Sequence, residues 1–169
     1  MRVDKKSLFL SVGICLLPIL IGVYYYDVLP EQISIHFNFK GEPDNFVSKT
    51  RAIIDIPIFL AIVQVIISLV VDFDKTPKKG AFIIKGIIPL ISVLVQGGVI
   101  AYALDNNFNV SQLAIFVMGI VLIILGNYLP KKEFWGKYNF NLFGLEKGVN
   151  EQKVIRAYAL HMTFSGVAI

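Results

Sequence analysis

Long apolar runs without charge constrain the fold of this chain more than any other feature. Residues 7–26 and 110–130 contain no Asp, Glu, Lys or Arg. A helix that is apolar on every side needs lipid or a much larger protein around it, and about 20 such residues span the hydrocarbon core of a bilayer. Hydrophobic residues make up 56% of the chain, which exceeds the roughly 45–50% of soluble domains. The sequence therefore predicts an integral membrane protein.

Five hydrophobic segments are predicted to form one membrane domain, an all-α helix bundle. The segments are residues 7–26, 52–71, 81–104, 110–130 and 154–169. The last is shorter than the roughly 20 residues of a full span. We therefore expect it either to be a short helix or to lack its end.

The basic residues are distributed unevenly between the two ends of these segments. If the segments alternate in direction, thirteen of the sixteen Lys and Arg residues lie at the end that holds the N-terminus, and Lys40, Lys49 and Arg51 lie at the other. Because Lys and Arg are retained in the cytoplasm, we expect a cytoplasmic N-terminus, an extracellular loop 27–51 and a cytoplasmic loop 131–153. The basic residues are scattered and form no single basic face, which argues against nucleic-acid binding.

The first extracellular loop combines an extended segment with a turn. Across residues 33–40, apolar and polar side chains alternate, which is typical of a half-buried strand. Gly41, Pro43 and Asp44 are turn residues, because glycine permits a positive φ and Pro-Asp favours a tight reversal. The loop is therefore predicted to form a short strand followed by a turn.

The same loop resembles the signature LPxxIxxHFNxxGxPDxxxxK of the SdpI-type family of bacterial membrane proteins, which includes bacteriocin immunity proteins. The matching residues are Leu29, Pro30, Ile33, His36, Phe37, Asn38, Gly41, Pro43, Asp44 and Lys49. The resemblance implies a multi-pass protein of the bacterial plasma membrane that protects its cell from a secreted toxin. One member of that family also takes part in signal transduction by recruiting a repressor. Toxin-binding, ligand-binding or loop-shaping residues are then expected among the matching positions.

His36 and Asp44 are residue types that bind metals or act as acids and bases. A metal site needs more than two ligands, and no spacing such as HExxH is present. We therefore predict no metal, no cofactor and no catalytic residue. The interpretation that we favour is structural, with His36 and Asn38 forming hydrogen bonds to the backbone of their own loop and holding the turn.

Several polar side chains are predicted to lie inside the membrane. They are Asp55, Gln64, Gln96, Asn127 and His161. An ionisable group in a membrane is by default a candidate functional residue. Asp55 is the one acid predicted inside a span, but it lies in the first turn of its helix, four residues after Arg51, where an ion pair is expected. Gln64 and Gln96 are expected to form hydrogen bonds to neighbouring helices, whereas Lys85 is expected to extend to the lipid headgroups.

Three classes of function remain open at this point. We favour a non-enzymatic immunity protein whose outer loop binds or excludes a secreted peptide or protein toxin. The second class is a membrane sensor that relays an external signal to a cytoplasmic regulator through loop 131–153. The aromatic and Lys residues of that loop are also suited to contact membrane lipid headgroups. The third class is a small membrane enzyme or transporter that uses Asp55, His36 or His161.

Overall fold

A computed structural model describes residues 3–38, 40–73, 78–105, 107–128, 131 and 151–168. These residues form the elements α1 (Lys5–Tyr24), β1 (Gln32–Phe37), β2 (Pro43–Ser48), α2 (Lys49–Phe73), α3 (Lys78–Leu104), α4 (Val110–Tyr128) and α5 (Glu151–Ala168). Helices α1 to α4 are long and apolar enough to cross a membrane. The prediction of a helical membrane bundle with a strand in the loop between its first two helices is therefore confirmed.

The spanning helices bury many small and polar residues and expose many large apolar ones. The buried residues of α1 are Ser11, Cys15, Pro18 and Gly22. On the same helix, Phe9 is 75% exposed and Leu20 is 66% exposed. A soluble helix bundle buries its apolar face, whereas helices in lipid pack through small residues. The burial pattern therefore agrees with a membrane environment.

Buried polar side chains connect α1, α2 and α3, which pack against one another. Because Pro89 has no N–H, the carbonyl of Lys85, four residues earlier on α3, loses its helical hydrogen bond. Gln64 of α2 supplies a donor, with its Nε2 2.9 Å from that carbonyl. Ser92 of α3 donates to the carbonyl of Cys15 on α1 at 2.8 Å. These bonds join all three helices inside the bundle.

Lys85 forms an ion pair inside the bundle, although the sequence predicted that it extends to the lipid headgroups. Lys85 is buried, and its Nζ lies 2.7 Å from Oδ1 of Asp72 on α2. The other carboxylate oxygen accepts a hydrogen bond from the backbone N–H of Asp4 at 2.9 Å. Helix α2 extends to Phe73 and therefore includes Asp72, so Asp55 is not the only acid in a spanning helix. The expectation for Lys85 was wrong because the largely buried carboxylate of Asp72 satisfies its charge inside the bundle.

Helices α4 and α5 form a close pair, and α4 also packs against α3. A Cβ atom on Gly126 would lie 2.6 Å from the carbonyl of Ala159, and one on Gly166 would lie 2.6 Å from the carbonyl of Gly119. The later residue of α4, Gly126, lies beside the earlier residue of α5, Ala159, so the two helices are antiparallel. Small residues at both crossings allow the backbones to touch, as in other membrane helix pairs.

Removing one partner of the Lys85–Asp72 pair should destabilise the protein by about 3–5 kcal/mol, because a buried charge then remains unpaired. We expect this loss in both Lys85→Met and Asp72→Leu, and we expect the double variant to recover much of it. The matched control is Arg51→Met, since the Arg51–Asp55 side chains are 68% and 48% exposed and such pairs contribute at most about 1 kcal/mol.

Thermal unfolding in detergent measures these effects. Similar losses for Lys85→Met and Arg51→Met would contradict a buried, energetically coupled pair. A double variant that is as unstable as the sum of the single variants would contradict it as well.

Candidate functional site

The two strands pair antiparallel and are joined by a turn organised by Asn38. Its Oδ1 accepts hydrogen bonds from the backbone N–H groups of Lys40 at 2.9 Å and Glu42 at 3.0 Å. The backbone N–H of Asn38 donates to the carbonyl of Glu42 at 2.9 Å. Gly41 has a φ of 80°, which glycine adopts without strain. The predicted roles of Asn38 and Gly41 in the turn are therefore confirmed.

The second strand was not predicted from the sequence. Pro43 and Asp44 were expected in the turn, but they begin β2, whose residues are exposed or half-buried. A strand with so little burial shows no clear alternation of apolar and polar residues, and bulges near His36 further disturb the register. Proline fits here because the first residue of an edge strand need not donate to the ladder.

His36 and Asp44 face each other across the hairpin. His36 Nδ1 lies 2.5 Å from Asp44 Oδ1, and their side chains are 67% and 41% exposed. The prediction that His36 binds the loop backbone was wrong, because the nearby carboxylate takes that place. Among the described residues, no three His, Cys, Asp or Glu side chains lie close enough to share a metal ion. The pair forms an exposed brace between the two strands.

A hydrophobic cluster fixes the hairpin to the ends of α2 and α3. Leu29 and Ile33 are buried in this cluster together with Ile53 of α2 and with Val99 and Ile100 of α3. Burying a Leu or Ile side chain contributes about 1.5–3 kcal/mol. The apolar positions of the signature therefore hold the hairpin in one orientation relative to the bundle.

Two further contacts hold the hairpin at its ends. Phe37 meets the ring of Tyr102 on α3 edge to face, with the ring centroids 4.8 Å apart. At the start of α2, Lys49 Nζ lies 2.9 Å from a carboxylate oxygen of Glu31 and 4.6 Å from the centre of the Tyr26 ring. The hairpin is thus attached to the bundle near its turn and at its base.

The signature residues divide by their contacts within this one hairpin. Those that attach the hairpin to the helices or close its base are Leu29, Ile33, Phe37 and Lys49. Those that shape the turn and the start of β2 are Asn38, Gly41 and Pro43. Those that remain exposed are Pro30, His36 and Asp44. The structure therefore brings together all the residues that the resemblance singled out.

The two glutamines inside the spans bond to neighbouring helices, as predicted. Gln64 also donates to Ser68 one turn along α2, at 3.1 Å. Gln96 of α3 donates to the carbonyl of Ala52 on α2 at 2.9 Å. Both side chains have no exposed surface. Their Nε2 groups therefore connect helices, whereas the Oε1 atom of each is buried without a hydrogen-bond partner among the described residues.

The other predicted intramembrane residues are Asp55, Asn127 and His161, and the hydrogen bonds that Asp55 and Asn127 form within the described residues have partners other than these glutamines. Asp55 accepts a hydrogen bond from Arg51 at 3.0 Å, as the spacing predicted. Asn127 lies at the end of α4 and accepts a hydrogen bond from Lys131 at 3.4 Å. His161 is exposed on α5. The contacts of these residues do not assemble them into one site.

The buried Asp72–Lys85 pair was missed by sequence reasoning, although a signal for it exists. Gln64, Ser68 and Asp72 follow one another at intervals of four residues and therefore lie on one face of a helix. A polar stripe on a spanning helix indicates a buried polar contact with another helix.

These features define a membrane-helix protein with a braced hairpin between its first two spans. Residues 13–61 match the model of a family described as a domain of unknown function, DUF1648. The match covers the hairpin together with the parts of α1 and α2 that flank it. No curated protein and no solved structure matches the chain.

Replacing Gly41 should disrupt the hairpin. Gly41→Val places a β-branched residue at a positive φ, which is strongly disfavoured, and a Cβ atom there would lie 2.7 Å from Ser111 Oγ. Lys40→Ala is the control, since Lys40 is exposed in the same turn. Oxidation of a cysteine pair placed at Gln32 and Ser48, which are register partners, reports whether the strands pair.

We expect the Gly41→Val background to form this disulfide several-fold more slowly than the parent, and the Lys40→Ala background to match the parent. The experiment uses Cys15→Ser throughout to remove the native thiol. Equal disulfide formation in all three backgrounds would contradict the proposed turn.

Proposed function

We propose that this chain is a non-enzymatic immunity protein of the bacterial plasma membrane, which binds or excludes a secreted toxin through its hairpin. One observation carries the proposal: the hairpin is held against two spanning helices while Pro30, His36 and Asp44 remain exposed. A binding surface that is ordered in advance loses little conformational entropy when a partner binds. The hairpin is therefore suited to recognition.

The arrangement of charge supports an outward-facing hairpin. Gly41 lies beside Ser111 at the start of α4, so the hairpin and the loop between α3 and α4 share one end of the bundle. The segments at this end contain three of the sixteen Lys and Arg residues of the chain. Basic residues concentrate on the cytoplasmic side of membrane proteins. This distribution favours a cytoplasmic N-terminus and a hairpin that meets molecules arriving from outside.

The nature of the partner follows from the resemblance to the SdpI-type signature. All the signature residues lie in or beside the hairpin, and the exposed ones offer hydrogen-bonding and apolar surface without a third metal-binding group in the described residues. This chemistry suits recognition of a peptide or protein toxin better than conversion of a substrate.

A second candidate function is signal transduction, which is favoured by the helices on which the hairpin rests. Helices α2 and α3 contact β1 of the hairpin, and the same helices carry the Asp72–Lys85 pair at their other ends. A partner that shifted the hairpin would therefore act on helices that reach the opposite side. Crosslinking of a cytoplasmic regulator to this chain, dependent on an added toxin, would favour this function.

If the hairpin confers immunity through a hydrogen-bonded brace, amide substitutions of His36 should preserve protection. His36→Gln and His36→Asn retain a donor for Asp44, whereas His36→Ala removes it. Because both side chains are exposed, the loss in His36→Ala should correspond to about 1 kcal/mol or less. Asp55→Asn should protect as the parent does.

The measurement is survival of a gene-deleted strain that carries each variant, challenged with culture supernatant of the undeleted bacterium. Membrane abundance is checked for each variant, and a chelator is added in parallel. Unchanged survival after gene deletion would contradict immunity. Complete loss of protection in both amide variants at normal abundance, with chelator sensitivity in the parent, would contradict the brace and indicate a metal-dependent site.

A further inference from the structure

The outer edge of β2 carries backbone groups that point away from β1. The backbone N–H of Lys49 donates to the carbonyl of Glu31 at 3.0 Å. Glu31 and Lys49 are therefore a hydrogen-bonded pair, and they adjoin the register pair Gln32–Ser48. Bonded and non-bonded pairs alternate in an antiparallel ladder. The Gln32–Ser48 pair is therefore non-bonded, and the N–H of Ser48 points outward.

The same alternation applies one step further along β2. Val47 pairs with Ile33, and Phe46 pairs with Ser34, so the Phe46 pair is again non-bonded and both backbone groups of Phe46 point outward. In the described part of the chain the sheet has only these two strands. The outward groups of Phe46 and Ser48 thus form an open strand edge.

This part of β2 carries none of the side chains with which proteins usually block strand pairing. Such side chains are Lys and Pro. In β2, proline occurs only at Pro43, beside the turn, and no Lys or Arg is present. The first register irregularity lies between Ser34 and His36, directly beyond the Ser34–Phe46 pair, and the pairs from Phe46 to Ser48 are regular. The Phe46 side chain is 52% exposed and adds apolar surface.

The charge around this edge indicates which partner it fits. The segments at this end of the bundle, residues 27–51 and 105–109, contain five acidic and three basic residues, a balance of −2, although the whole chain carries +4. An acidic surface attracts cationic partners and disfavours anionic ones. An open edge binds extended segments through backbone hydrogen bonds.

We propose that the edge of β2 at Phe46 and Ser48 binds an extended cationic peptide segment as a third strand of the sheet. The proposal rests on the proposed function, in which that segment belongs to the secreted toxin. Backbone hydrogen bonds supply affinity, the net negative charge of this end of the bundle selects a cationic segment, and Phe46 contacts apolar side chains of the peptide.

The test uses the full chain in nanodiscs of zwitterionic phosphatidylcholine and a fluorescent peptide of alternating lysine and valine. Controls are the same peptide with N-methyl groups along one edge, a glutamate–valine peptide and empty nanodiscs. We expect the lysine–valine peptide to bind, and the N-methylated and glutamate peptides to bind at least tenfold more weakly. Equal binding of the N-methylated peptide, or absence of binding by the parent peptide, would overturn the proposal.

Matched variants examine the edge itself. Ser48→Pro removes the outward N–H and should weaken binding roughly three- to tenfold, which is the effect of one net hydrogen bond, whereas Ser48→Ala should bind as the parent does. Replacing Phe46 by its α-hydroxy acid exchanges only its N–H for an ester oxygen and should act like Ser48→Pro. Equal binding by all these variants, or copies of this chain that pair through β2 in place of the peptide, would overturn the proposal.

Survival under toxin challenge separates this proposal from the proposed function. If Ser48→Pro protects fully while Gly41→Val does not, the edge proposal fails and immunity through the hairpin stands. If the peptide binds as expected but gene deletion leaves survival unchanged, the edge proposal stands and immunity fails.

Discussion

Inside a bilayer, a backbone carbonyl without its helical hydrogen bond has no water to bind, and Pro89 creates such a carbonyl at Lys85. Gln64 of α2 donates to that carbonyl, and Asp72 of the same helix binds the ammonium of Lys85. Lys85 is therefore connected twice to α2, once through its backbone and once through its side chain. These contacts set the position of α2 relative to α3, and the hairpin rests on both helices.

The orientation of the hairpin depends on this pair of helices. Ile33 is buried in one cluster with Ile53 of α2 and Val99 of α3, so a displacement of either helix would disturb its packing. The turn is determined locally, since Asn38 accepts hydrogen bonds from two backbone N–H groups and Gly41 supplies the positive φ. The candidate site thus combines a locally determined turn with a base that depends on the membrane bundle.

The sequence predicts those features that local chemistry controls. Long apolar runs, two of them without any charge, identify α1 to α4, and the four-residue spacing of Arg51 and Asp55 identifies their pair. Strand β2 could not be predicted, because its exposed residues carry no alternating pattern and its first residue, Pro43, is typical of a turn. The burial of Lys85 depends on Asp72, which lies on another helix, and sequence spacing alone does not bring such residues together.

The proposed function depends most directly on the side of the membrane that the hairpin occupies. A membrane-impermeant thiol reagent added to intact cells tests this, with single cysteines introduced at Asn45 in β2 or at Lys78 in a Cys15→Ser background. The account predicts labelling of the Asn45→Cys variant on intact cells and labelling of Lys78→Cys only after permeabilisation, because basic residues remain inside. Labelling of Lys78→Cys on intact cells, together with protection of Asn45→Cys, would contradict an outward-facing hairpin and any direct contact with a secreted toxin.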